Sequence, residues 1–426
     1  MTAPLPTTDA PEPAGEPAPI LWARSGAMGL CGHEDGPPRA GAAAVAAHAA
    51  GWARELCARS GADVPGLDGP ALLGERAAQL GLARRGRVSP GGACRLLPTA
   101  EGFLAVNLAR ADDFDLLPAW LEREVTREPW GVVAEAVREA PARRWVERGR
   151  LLGLAVAATE TPADTLSPAA EVDPCGTAWP RRVDRPLVVD LSSLWAGPLC
   201  TQLLGLGGAR VVKVESLHRP DGARRGAPAF FDLLNAGKAS VALDLRSTTG
   251  RDTLLRWIEV ADVVVEASRP RALRQLGIDA EAALAIRPGL VWVSITGHGR
   301  REPNAQWVAF GDDAAVAAGL ASASGEPGDP VFCADAIADP LAGLRAAVET
   351  RRALDDGGGC LVDVSLSGVA REALGPIDGP PLEVVRRDGA FWVECEGARA
   401  PVMPPRARLA HGIARPFGAD TESFPC

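Results

Sequence analysis

Two rhythms of hydrophobic and polar positions run along this 426-residue chain. From Pro186 onward, short β-branched runs recur: PLVVDLSS, ARVVKVES, KASVALDLRS, DVVVEAS and GLVWVSITG. Between them lie stretches with helical spacing, such as AGPLCTQLLGLG and TGRDTLLRWIEVA. Short strands alternating with helices predict βαβ units and a parallel sheet. Such a sheet binds ligands outside the carboxyl ends of its strands. Gly205-Leu206-Gly207-Gly208 follows a helix pattern and precedes a strand, the reverse of a dinucleotide-binding loop, so it reads as a helix cap and turn.

The first half has another character. CRLLPTAEGFLAVNLAR predicts a hairpin turning at Glu101-Gly102, and the region from Asp115 to about Leu154 is mostly helical, with Trp120, Trp130, Val133, Val137 and Trp145 as candidate core positions. TPADTLSPAAEVDPCGTAWPRRVDRP, with five prolines and no helical period, separates the halves. The expected organisation is a disordered tail at 1–18, a small α+β lobe at 19–160, a linker at 161–185, a large α/β lobe at 186–375 and a C-terminal segment at 376–426.

Composition narrows the function. A net charge of −9 argues against a nucleic-acid partner, although local basic patches are compatible with a phosphorylated ligand. The cysteines are scattered with no CxxC pair, which predicts neither a zinc site nor a disulfide framework and fits a reducing, cytoplasmic compartment. The Pro-rich, acidic start lacks the basic and apolar regions of a signal peptide, and no apolar run is long enough to span a bilayer. No membrane partner is expected.

In order and spacing, several blocks of the second half resemble the family III CoA-transferases. They are VVDLSSLWAGPLCTQLLGLGGARVVKVES, NAGKASVALDLRS, ADVVVEASRPRALRQLGID, RPGLVWVSITGHG and DPVFCADAIADPLAGLRAAVETRRALDDGGGCLVDVSL. The closing ARPFGADTESF is similar to the family's C-terminal ending. The resemblance implies an α/β fold, a Rossmann-like parallel-sheet lobe of that family's type, here with the smaller α+β lobe placed N-terminally. It implies coenzyme A, as acyl-CoA, and a carboxylic acid as small-molecule substrates, an interlinked homodimer, and no metal or redox cofactor.

The family's nucleophile lies four residues before a glycine, a pattern met by Asp339 and Gly343. A carboxylate can attack a thioester carbonyl to form a mixed anhydride. By residue type alone, Asp339 before Pro340 also suits a helix N-cap, and Asp335 is a rival in the same loop. The resemblance further implies CoA contacts at Trp195, Ala196, Gly197, Asn235, Lys238, Leu243 and Arg269; the backbone amides of a turn opening a helix suit an anion. Lys213 and Glu215 read equally as a strand-end charge pair, and Arg219, Arg224 and Arg225 as a solvated loop. Ser216, Ala267-Ser268 and Gln275 depart from the family pattern. SGAMGLCGHEDGPPRAG also resembles AAGLASASGEPGDPVFC, matching Gly26 to Gly319, Gly32 to Gly325, Pro37 to Pro330 and, after a one-residue slip, Gly51 to Gly343. That first copy has Ala47 where the second has Asp339, so it carries no nucleophile.

Two alternatives stand beside a transferase. One is a catalytically weakened CoA-binding protein or partner subunit. The other is an acyl-CoA racemase or isomerase. In racemases of the family a His-Asp pair does the chemistry; here its place is taken by Asp312-Asp313, with His298 nearby in sequence.

Overall fold

The computed structural model describes residues 16–60, 64, 67–125, 128–180, 184–376, 382–395 and 397–422. The expected tail therefore lies mostly outside the described residues. At its end the chain is already helical, from Ala18 to Arg24, with Pro19 in the first turn where its missing N–H costs nothing.

The predicted hairpin forms β1 (Cys94–Pro98) and β2 (Phe103–Asn107), and β3 (Ala155–Ala158) completes an antiparallel sheet in the order β1-β2-β3. Alternation along these strands serves two partners. Leu104, Val106 and Val156 face the helices Ala111–Leu121, Pro129–Ala136 and Ala142–Leu152, around buried Trp120 and Trp145. Both indoles are satisfied: Trp120 donates to the Trp145 carbonyl at 3.1 Å and Trp145 to the Val137 carbonyl at 3.0 Å. The opposite face carries Cys94, Leu96, Ala105 and Ala157, packed on Val316, Ala317, Ala321 and Phe332 of the second half. Small side chains on that face let the helix Gly311–Ala317 approach the sheet.

The large sheet has the order β4-β10-β9-β8-β5-β6-β7. Five of its strands match the β-branched runs, β5 (Leu187–Asp190), β6 (Arg210–Ser216), β7 (Ala239–Leu243), β8 (Val263–Glu266) and β9 (Val291–Thr296), and a sixth, β10 (Cys360–Ser365), joins them. They pair in parallel, as expected for strands linked by helical crossovers. The fold class is thus α/β with a parallel-rich sheet and a smaller α+β unit before it. Strand order reverses between β5 and β8, so their carboxyl ends border the crevice where such sheets bind ligands.

The stretch expected to be only a linker instead contributes the edge strand β4 (Ala170–Asp173), antiparallel to β10. Its four residues are half exposed and polar in part, too short for alternation to show, and their partner lies far along the chain. Beyond the large lobe, β11 (Val384–Arg387), β12 (Ala390–Cys395) and β13 (Ala398–Pro401) form a meander. Buried Val393 and Ala400 join the core that holds Ile20, Trp22 and Ala23 of the first helix. The chain then returns to the large lobe: Ser240 N–H donates to Asp420 and Ala242 N–H to Thr421 Oγ1, at 2.8 and 3.0 Å.

The two segments that resemble each other face one another. Gly26 and Gly319 both adopt positive φ, +82° and +92°. Ala334 N–H donates to Cys31 Sγ at 3.2 Å, while Gly41 lies against the Ala323 backbone, leaving no room for a side chain. The helices that follow, Ala44–Ser60 and Ala338–Asp355, pack together and are joined by Arg352 to Glu55 at 2.7 Å and Arg59 to Asp355 at 3.0 Å.

Candidate active site

Asp339 lies in the first turn of the helix Ala338–Asp355, two positions beyond Ile337 at the N-cap, so it is not itself the cap. It retains slight solvent contact, unlike Asp335, which is fully enclosed. Gly343, one turn later, explains its own spacing: a Cβ there would sit 2.6 Å from the Ala196 carbonyl oxygen and 3.1 Å from Leu199 Cβ. The glycine lets this helix cross closely over the helix Ala196–Leu206. One close crossing thereby brings Asp339 towards the turn Trp195–Gly197 at the carboxyl end of β5.

Both sides of the site hold unusual backbone. Leu194, just before Trp195, has φ +70°, and Ala334 and Ala336, flanking Asp335, have φ +57° and +43°. Non-glycine residues in this region cost about 1–3 kcal/mol each and cluster where geometry serves function. Gly197 is required for packing, since a Cβ there would overlap the Ser192 side chain. Trp195 is buried edge-on against Phe230, ring centroids 5.3 Å apart, and its indole N–H is unpartnered.

Four carboxyl groups gather here. Asp312 accepts from Ala336 N–H at 2.8 Å; Asp313 accepts from Phe310 N–H at 3.0 Å and from Asn107 Nδ2 at 2.8 Å, so the small sheet reaches the cluster. Burial pushes Asp339 up to about 7; Arg76 opposes the rise, the Asp313 charge adds to it, the Gly311 backbone N–H offsets part and Asp335 adds a little more. Burial likewise raises Asp312 and Asp313 to about 7, Asp312 further because of Asp335. Asp335, also raised by burial, is held by Arg76 Nη1, 2.8 Å from each carboxylate oxygen. Arg76 also lies 6.0 Å over the Trp195 ring.

The expected CoA contacts divide into two groups. Trp195, Ala196 and Gly197 open the helix that crosses at Gly343. Arg269, partly exposed after β8, stands among Arg110, Arg219 and Arg271, and desolvation followed by these like charges lowers its affinity for a proton. Leu243 is buried at the carboxyl end of β7. Asn235 and Lys238 are occupied in a buried network: Lys238 Nζ meets Asp190 at 3.0 Å, Thr201 Oγ1 at 2.7 Å, the Pro198 carbonyl at 2.9 Å and Asn235 Oδ1 at 3.1 Å. Burial brings Lys238 down to about 8 against the pull of Asp190. Lys213 and Glu215 do not pair with each other; Lys213 meets Asp221 at 2.9 Å and Glu215 meets Arg224 at 2.6 Å. His298 is buried, with Nδ1 3.2 Å from Ser367 Oγ, and desolvation brings it down to about 3, so it is a neutral imidazole.

The first half supplies groups that no motif announced. Arg76 sits in the short helix Glu75–Leu80. Arg150 stacks on Trp307, its guanidinium carbon 3.7 Å from the ring centroid, and its charge bears on Asp313. Arg76 meets Asp335 across 259 positions of sequence, a separation no local pattern can report.

Residues 186–377 match the model of CoA-transferase family III. The succinyl-CoA–D-citramalate CoA-transferase of Chloroflexus aurantiacus is 30% identical over 199 residues, 44% of this chain and 50% of the relative. The succinate–glutarate CoA-transferase of Agrobacterium fabrum is 30% identical over 205 residues, 44% and 51% of the two chains. A CaiB/BaiF family protein from Brucella suis, of known structure, is 28% identical with a TM-score of 0.45, covering 49% of this chain and 64% of that one. The chain spans about half the length of the curated relatives it matches. Among the described residues no helix is long and apolar enough to cross a membrane, and no group of His, Cys, Asp and Glu is arranged to hold a metal.

Proposed function

We propose that the protein is an acyl-CoA:carboxylate CoA-transferase with Asp339 as nucleophile. The observation that supports this reading is the crossing at Gly343, one turn after Asp339, against the Ala196 carbonyl of the Trp195–Gly197 turn. The Asp339 carboxylate oxygen attacks the thioester carbonyl, the C–S bond breaks, and CoA thiolate leaves a mixed anhydride. The thiolate then attacks the aspartyl carbonyl carbon, releasing the donor acid and leaving an aspartyl–CoA thioester. An acceptor carboxylate attacks that thioester, and the returning thiolate completes the new acyl-CoA while freeing Asp339. Each step exchanges acyl partners, and none consumes water.

Trp195, Ala196, Gly197 and Arg269 are read as CoA contacts, with the arginines around Arg269 as countercharge for its phosphates. Leu243, Asn235 and Lys238 are read as CoA contacts of the same family pattern. A homodimer in the cytoplasm follows from the same reading. The relatives that act on succinate, glutarate and citramalate make small carboxylic acids the first acceptors to assay. In the test, purified protein is incubated with an acyl-CoA donor and hydroxylamine, and an Asp339 hydroxamate is sought by peptide mass spectrometry. Asp339→Ala abolishes both hydroxamate and transfer. Transfer that survives this substitution refutes the reading.

The racemase alternative loses the base it needs, since desolvation of the enclosed His298 brings it down to about 3, too weak a base, and Asp312-Asp313 replaces His-Asp. A CoA-binding partner subunit would give neither hydroxamate nor transfer.

A further inference from the structure

We propose that Arg76, contributed by the half of the chain outside the family match, is the positioning residue of Asp339: anchored on Asp335, its guanidinium is the countercharge for the nucleophile. This inference rests on the transferase reading.

A nucleophilic carboxylate must be an anion, and the surroundings of Asp339 oppose that. Asp312 and Asp313 approach from the helix Gly311–Ala317, and Asp335 lies on its own segment. Burial already disfavours charge. Against three further carboxyl groups stand two arginines. Arg150 bears on Asp313, whereas Arg76 acts on Asp339 itself.

Geometry fixes where that charge sits. Asp335 is wholly buried and takes Arg76 Nη1 on both oxygens at 2.8 Å, so the pair is rigid. The Arg76 side chain remains 28% exposed and spans from Asp335 to the face of Trp195. The positive φ of Ala334 and Ala336 turns the Asp335 carboxylate into this position between them. Gly91 keeps the pocket open, because a Cβ there would lie 3.1 Å from Arg76 Nη2 and 3.3 Å from Asp335 Oδ1. Asp335 thus acts as the anchor of the cation, and Asp339 is the carboxylate left free to react. Arg76 comes from the same chain but from a segment that residues 186–377 lack.

The test compares pH profiles of kcat/KM for wild type, Arg76→Met, Arg76→Lys and Asp335→Asn, with circular dichroism to check folding. Loss of a cation beside a carboxylate raises its pKa by roughly 1–3 units. Arg76→Met is expected to move the acid limb upward by at least about one pH unit, a roughly tenfold loss relative to wild type at pH 6 with the plateau unchanged. Arg76→Lys returns the limb most of the way. Asp335→Asn keeps an Oδ1 acceptor for Arg76 Nη1 while removing a like charge, so it moves the limb downward. Opposite shifts cannot come from a general loosening of the fold, and should Arg76→Met fail to fold, the Lys and Asn variants still decide the sign. Acid limbs that coincide in all folded variants would overturn the proposal. If wild type shows no transfer at any pH, while Asp339→Ala behaves identically, the transferase reading fails instead.

Discussion

Gly343→Ala sets two physical effects against each other with opposite signs. In a helix interior, alanine is favoured over glycine by about 1 kcal/mol, so propensity alone predicts a more stable protein. The structure predicts the reverse. The added methyl would stand 2.6 Å from the Ala196 carbonyl oxygen and 3.1 Å from both Cβ and Cδ2 of Leu199. The first contact is with backbone, so relief requires the helices Ala196–Leu206 and Ala338–Asp355 to separate by about half an ångström through a packed core. Overpacking of this kind costs about 1–3 kcal/mol, with a steric obstacle here at the severe end; the net expectation is a loss of about 1–2 kcal/mol. Gly51→Ala is the internal control. Gly51 holds the matching place in the helix Ala44–Ser60, but its Cβ would meet only the end of Arg54 at 4.0 Å. That variant should gain about 0.5–1 kcal/mol. Urea unfolding followed by far-ultraviolet circular dichroism reads both. Because the Ala196 carbonyl belongs to the turn beside Asp339, Gly343→Ala should also lower transfer activity, and Gly51→Ala should not. A Gly343→Ala protein as stable as wild type, or more so, would refute the close-crossing argument.

Lys238→Met should destabilise the protein by about 3–5 kcal/mol, because it strips the ammonium from Asp190, a fully buried carboxylate whose affinity for protons is held down by Lys238 and Lys213; thermal unfolding measures it, and a loss of CoA binding with stability unchanged would contradict the placement. Asp313 has a folded-state pKa of about 7, above its unfolded value of about 4, so the native state binds the extra proton and this group's contribution to stability is lost as pH rises from 4 through 7. Asp313→Asn keeps an acceptor for Phe310 and Asn107 and removes that titration. It should therefore flatten stability between pH 5 and 8 and exceed wild type at pH 8, and an unchanged pH slope in urea titrations would count against it.

Local pattern was informative wherever a single element explains itself. The runs ending at Asp190, Ser216, Leu243, Glu266 and Thr296 became parallel strands because continuous β-branched residues suit a sheet covered on both faces. The hairpin at Glu101-Gly102 and the cap at Gly207 followed from turn chemistry. Ala170–Asp173 escaped because a four-residue edge strand has almost no pattern of its own, only a partner in β10. Lys238 looked like a ligand contact by its place in a motif, yet three-dimensional proximity to Asp190 occupies it.

What the chain by itself determined is therefore the inventory of strands and helices, the carboxylate at 339 and the glycine one turn later, since each depends on neighbours within a few residues. Which charges surround that carboxylate was decided only on folding. Arg76 acts on it, and Asn107 and Arg150 on its neighbour Asp313, from the first half of the chain, while Asp335 is set between two residues of positive φ that no side-chain pattern records. The reactivity of a buried acid depends on distances to all other charges, and those distances exist only in the folded protein.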